Sequence, residues 1–133
     1  MNDNTTGARG YSLLLMRVVV ALIFISHGYP KLSSPEGTAA FFDGIGLPGF
    51  LVPIVGVVEV GAGLMLFFGL FARPAAVALL AVIAVALIKV QIPGGITAGL
   101  ERDSLITAAL LVVIACGPGA FALRRTPRLG SPD

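Results

Sequence analysis

Four long stretches of this chain lack the charges that an exposed surface needs. They run from about Tyr11 to Tyr29, Phe50 to Phe71, Pro74 to Gln91 and Asp103 to Leu123. A helix of about 20 mainly apolar residues crosses a ~30 Å hydrocarbon layer, and each stretch is near that length. The first contains a single Lys, Arg, Asp or Glu, which is Arg17, and the second contains only Glu59. Lys89 falls near the end of the third, and the fourth is apolar from Leu105 to Cys116. Composition agrees. Of 133 residues, 56 % are hydrophobic and 12 % charged, with a mean hydropathy of +0.97. A soluble domain carries about 25 % charged residues. Nine basic and seven acidic side chains cannot cover the surface of a soluble protein this size. A soluble enzyme, a disordered segment and a nucleic-acid binder are therefore excluded. The net charge of +2 comes from scattered bases, which read as topology signals rather than a phosphate footprint.

The expected architecture is all-α: an integral membrane four-helix bundle, up-down-up-down, because short connections favour antiparallel neighbours. A short N-terminal tail, residues 1–10, precedes a single four-span domain over 11–123, and a basic polar tail covers 124–133. The breaks between spans have chemical causes. Pro30 and Ser33-Ser34-Pro35 stop the first helix, and Pro74 suits the first position of the third. Gly117-Pro118-Gly119 ends or kinks the fourth. Between the first two spans, Ser34, Pro35 and Glu36 read as a cap, a first-position proline and a first-turn acid. They predict a short interfacial helix bearing Phe41 and Phe42 and ending at Gly44 or Gly46, with an irregular loop as the alternative. With the N-terminus inside, Arg9, Arg17, Arg73, Arg124, Arg125 and Arg128 face the cytoplasm, against Lys31, Lys89 and Arg102 outside. That excess places both termini in the cytoplasm.

Ionisable groups inside apolar spans are costly and mark candidate sites. Glu59 lies about 13 Å along the second span at about 1.5 Å per residue, near mid-membrane. Gly56 and Gly63, at i−3 and i+4, share its face and admit a close neighbour, either a helix or a ligand. Arg17 is the expected partner of Glu59, with snorkelling to the headgroups as the alternative. His27, the single histidine, lies at the end of the first span and could relay protons or be an interfacial hydrogen-bonding residue. Lys31 is expected in the headgroup zone. Lys89, Gln91, Asp103, Ser104 and Thr107 occupy the corresponding ends of the later spans, Asp103 and Thr107 sharing a face. The antiparallel topology lets His27, Glu59, Lys89, Asp103 and Thr107 converge on one apolar pocket suited to a small amphipathic ligand. The alternative has them facing headgroups separately.

Some chemistry is absent from the residues. One histidine cannot make a bis-histidine haem site, and Cys116 has no second thiol for dithiol exchange. Histidine, cysteine and carboxylates show no zinc-ligand spacing, and there is no phosphate-binding loop. Gly61-Ala62-Gly63 sits inside an apolar span, so it is a packing face rather than a dinucleotide fingerprint. No cofactor is expected within the chain itself.

Several ordered motifs resemble the DoxX family. They are Arg17 to Phe24 followed by His27-Gly28 and Lys31-Leu32; then Phe42, Gly46 and Pro48; then Gly56-Val57-Val58-Glu59-Val60-Gly61-Ala62-Gly63-Leu64 with Leu66, Gly69-Leu70 and Ala72-Arg73; and the closing Gly117-Pro118-Gly119. Their order and spacing carry the resemblance, from about Leu14 to Leu123. It implies a four-helix bacterial inner-membrane protein whose relatives are often called oxidoreductases, in part through thiosulfate:quinone oxidoreductase. It points to Arg17, His27, Lys31 and Glu59. The expected function is a membrane subunit or quinone-handling module of an oxidoreductase, with quinone as the cofactor and a redox subunit as partner. Glu59 and His27 would exchange protons. Arg17, Lys31, Gly56, Gly63, Lys89, Asp103 and Thr107 would line the ligand site. The alternative is a non-enzymatic homo-oligomeric scaffold or small-solute conduit in the lipid bilayer, its chains meeting through the glycine faces. No nucleic-acid partner is expected.

Overall fold

A computed structural model describes residues 7–94 and 98–123. Every regular element among them is a helix. They are α1 (Gly7–Ser33), α2 (Glu36–Gly44), α3 (Leu51–Phe68), α4 (Ala72–Ala86), a π-helical turn (Leu87–Gln91), α5 (Ile92–Gly94) and α6 (Ala98–Cys116). Residues 1–6 of the expected N-terminal tail and the whole tail at 124–133, with Arg124, Arg125 and Arg128, lie outside the described residues. Residues 7–10 belong to α1 rather than to a tail.

Among the described residues, three helices are long and apolar enough to cross a membrane: Gly7–Ser33, Leu51–Phe68 and the continuous Ala72–Gly94. α6 is a 19-residue helix but carries Glu101, Arg102 and Asp103 within its first two turns, which set it apart from those three. The fourth stretch also ends earlier than the expected Leu123. Gly117 adopts φ +86°, and its N–H bonds the Val113 carbonyl at 2.8 Å, closing α6 at Cys116.

The other breaks differ from expectation by a few residues, each for a local reason. Pro30 lies inside the last turn of α1, where the single lost donor does not prevent continuation to Ser33. α2 starts at Glu36 without a side-chain cap; the Ser34 carbonyl instead accepts the Gly37 N–H in the preceding turn. It ends at Gly44, as one expected boundary had it, and the Leu47 N–H returns to the Phe42 carbonyl around Gly46 at φ +81°. α3 stops at Phe68 rather than Phe71, because Gly69 turns left-handed and the Leu70 N–H caps the Met65 carbonyl. α4 therefore begins at Ala72, which makes Pro74 its third residue, still within the turn that lacks ladder donors.

α1 packs on α3, α3 on α4, α4 on α6, and α6 returns to α1. Small residues set the closest approach. A Cβ on Gly28 would stand 2.8 Å from the Cβ of Glu59, and one on Gly63 would stand 2.9 Å from Cγ1 of Ile25. This register makes α1 and α3 antiparallel. The core draws Val20, Ala21 and Phe24 from α1, Ala62 and Leu66 from α3, Leu79 and Ile83 from α4, and Ile106, Leu110 and Val113 from α6. The outside is apolar as well: Leu15, Val57, Leu64, Val77, Leu105 and Leu111 are exposed. An exposed apolar surface this extensive is that of a helix assembly solvated by lipid.

Candidate functional site

Charged side chains inside apolar helices need partners, and this chain satisfies them in two ways. Arg17, only 1 % exposed, donates from Nη1 to the carbonyls of Pro118 and Ala120 and from Nη2 to that of Phe67. These oxygens belong to the segments just past α6 and at the end of α3, where the ladder leaves carbonyls without donors. Arg73 acts similarly, donating from Nε to the Ile114 carbonyl at 2.8 Å. Arg17 therefore does not pair with Glu59, contrary to expectation. It sits in the opposite half of α1 from His27 and Lys31 and reaches the chain's own carbonyls first.

The partner of Glu59 is Lys31. Its Nζ donates to Glu59 Oε2 at 2.9 Å and to the His27 carbonyl at 3.0 Å. Lys31 is accordingly not a headgroup residue: its side chain is only 15 % exposed. Continuation of α1 past Pro30 keeps Lys31 on the helical face toward α3. Gly56 permits the approach, since a Cβ there would stand 2.9 Å from the Cβ of Lys31. Glu59 is 5 % exposed, and its Oε1 accepts no hydrogen bond from the described residues. His27 places Nδ1 2.8 Å from the Ile23 carbonyl. A carbonyl only accepts, so Nδ1 carries the proton and Nε2 remains available.

A second polar cluster joins α6 to the π-helical turn. Asp103 is 2 % exposed and accepts from Arg102 Nε at 2.9 Å and from Gln91 Nε2 at 3.0 Å. Gly99 makes room for the Gln91 amide, which a Cβ at that position would overlap. The wider π turn carries Gln91 round to α6, an irregularity common at functional positions.

Both clusters line one cavity of about 500 Å³. Apart from Thr38 of α2, its remaining walls are apolar, among them Ile23 and Phe24 of α1, Leu51 and Val55 of α3, Val82, Val85 and Ala86 of α4, and Ile106 of α6. Phe41 and Phe42 of α2 close one side. The volume lies within the roughly 300–1,000 Å³ of small-molecule sites, and a mostly apolar lining with a few polar groups is their usual composition.

Of the residues expected to meet, the cavity brings together His27, Lys31, Glu59 and Asp103. It does not include Lys89, which is exposed on the π turn, or Thr107, whose hydroxyl donates to the Asp103 carbonyl at 2.8 Å. Arg17, Gly56 and Gly63 are also outside its lining; the two glycines are filled by Lys31, Leu32 and Ile25 of α1. Arg102 and the aromatic wall were not anticipated as site residues. Sequence neighbours do not face one another on a helix, so the Arg102–Asp103 pair has no spacing signal. Among the described residues no three His, Cys, Asp or Glu side chains group closely enough to hold a metal ion.

Membrane-length helices enclosing a charge-paired apolar cavity define a membrane protein with an internal ligand-sized site. The chain belongs to the DoxX family, whose model matches residues 12–92. It is similar to the Bacillus subtilis (strain 168) protein named "Putative oxidoreductase CatD", 33 % identical over 83 % of this chain and 82 % of the relative. It is also similar to "Inner membrane protein YqjF" of Escherichia coli (strain K12), 28 % identical over 85 % of this chain and 89 % of the relative. A third relative, "Uncharacterized membrane protein Rv3486" of Mycobacterium tuberculosis, is 33 % identical over 86 % of this chain and 80 % of its own length. No solved structure matches the chain.

Proposed function

We propose that this chain is a quinone-handling membrane subunit of an oxidoreductase system. The observation that carries the reading is that Glu59, whose Oε1 accepts no hydrogen bond from the described residues, lines a mostly apolar cavity of about 500 Å³. An oxygen-bearing ring in such a cavity gains apolar contact on its faces and hydrogen bonds at its edge. Lys31 donates to a ring carbonyl, and Glu59 Oε1 accepts from a ring hydroxyl. His27, exposed on α1, links this pair to the membrane surface as a proton carrier. The electrons come from a partner redox subunit, because the chain supplies no dithiol. The CatD name supports oxidoreductase chemistry in a relative, and YqjF supports an inner-membrane setting.

In this reading α6 is the fourth span, its charged first turns lying at the outer interface, and the helices alternate up-down-up-down. Both termini are cytoplasmic in a bacterial inner membrane. A scaffold joined through the α3 glycines has less support, since Gly56 and Gly63 are buried against α1 and the exposed Gly61 lies on the other side of the helix from them. The deciding experiment compares wild type with Glu59→Gln, extracted gently with its native partners. Quinone binding and quinone-coupled turnover should both fall at least about tenfold, the effect of one charge-assisted hydrogen bond. Unchanged values for both would remove Glu59 from the mechanism.

A further inference from the structure

The cavity has two polar anchors, and the proposed function uses only one. Lys31 and Glu59 join α1 to α3, while Gln91, Arg102 and Asp103 join the π turn to α6. Among the described residues no hydrogen bond runs between the two clusters. Each contains one cation and one carboxylate, so the two ion pairs together add no net charge to the cavity lining. A net-neutral, mostly apolar cavity penalises a charged ligand, which would have to leave water without a counter-charge.

Resting on the quinone-handling reading, we infer that the ligand is an uncharged ring with oxygen functions at two opposite ends. One end is held by Lys31 and Glu59, the other by Arg102, Gln91 and Asp103. Both anchors combine donors with acceptors. Lys31 has three N–H groups and uses two, for Glu59 and the His27 carbonyl. The Nη groups of Arg102 and the second N–H of Gln91 make no hydrogen bond among the described residues. Glu59 Oε1 is open, and each oxygen of Asp103 can accept a second bond. The site therefore meets carbonyls at both ends in the dione and hydroxyls at both ends in the hydroquinone. Gln91 is the specificity-determining residue: the π turn and Gly99 exist at the positions that bring its amide to Asp103.

The test uses the full chain in lipid nanodiscs, with empty nanodiscs to correct for partitioning. The probes are a decyl para-benzoquinone, its hydroquinone, decylphenol with one oxygen, and anionic decyl sulfate, each measured by equilibrium dialysis. The dione and hydroquinone should bind within about threefold of each other, and decylphenol at least about tenfold more weakly. Decyl sulfate should not compete. Gln91→Leu should weaken the dione about tenfold and decylphenol little. Gly99→Ala, which keeps Gln91 but crowds its amide, should act in the same direction. If the dione binds but neither variant weakens it and decylphenol matches it, the second anchor is wrong while the quinone reading stands. Preferred binding of decyl sulfate overturns the neutral-ligand inference. A folded protein that binds neither dione nor hydroquinone overturns the quinone reading and this inference together.

Discussion

The two halves of α1 carry one inward-facing cation each, Arg17 buried and Lys31 part-buried, and the two are used differently. Arg17 gives its hydrogen bonds to three backbone carbonyls at the ends of α3 and α6. Lys31 shares its bonds between one carbonyl and Glu59, beside a cavity. Around Arg17 the chain packs closely: the Ala120 N–H bonds the Gly10 carbonyl at 3.0 Å, and Tyr11 stacks near Phe121 with centroids 6.1 Å apart. Around Lys31 there is open volume walled by aromatic and aliphatic side chains. An arginine that satisfies carbonyls closes a structure, because its planar fork reaches several acceptors at once. A lysine–carboxylate pair beside a cavity leaves donors and acceptors for something else.

Substitutions can break or sharpen this contrast. The largest effect is expected from Arg17→Leu, which strands three carbonyls in an apolar setting. It should lower unfolding free energy in detergent by more than about 3 kcal/mol, read from denaturant titration of the helical signal. Next comes Gly28→Val. Its side chain must displace Glu59 or Val60 across the α1–α3 contact, for a loss of about 2–3 kcal/mol by the same assay. Arg73→Gln should cost only about 1 kcal/mol, because Arg73 is half-buried and its carbonyl partners lie in the last turn of α6. The smallest stability change should come from the double variant Lys31→Met with Glu59→Met. It removes both charges and should stay within about 1 kcal/mol of wild type, yet abolish quinone binding. A double variant as damaged as Arg17→Leu would mean that both halves of α1 serve stability alone.

Much of the helix plan was readable in the chain, because hydrophobic run length and breaker chemistry are local. Gly117 and the Ser34-Pro35-Glu36 turn ended or began helices where breakers were expected, whereas Gly69, not expected as a break, ended α3 before Phe71. Glu59 was visible as a candidate because a lone carboxylate in an apolar run has few alternatives. Its partner was not visible. Choosing between Arg17 and Lys31 requires the rotation of α1 against α3, and Pro30 suggested that the helix had ended before Lys31. In the sequence Arg102 is one more flanking charge, and the π turn, which no simple period predicts, carries the Gln91 that bonds Asp103.

The sequence by itself determined a membrane protein with long apolar helices, their breakpoints and the costly charges within them. These follow from the free energy of placing each residue in hydrocarbon, a sum over single side chains. Tertiary structure decided which cation meets Glu59, which glycines are packing faces rather than lining, and that two ion pairs share one cavity. Those outcomes depend on helix rotation and depth, which are fixed only when all the helices pack at once.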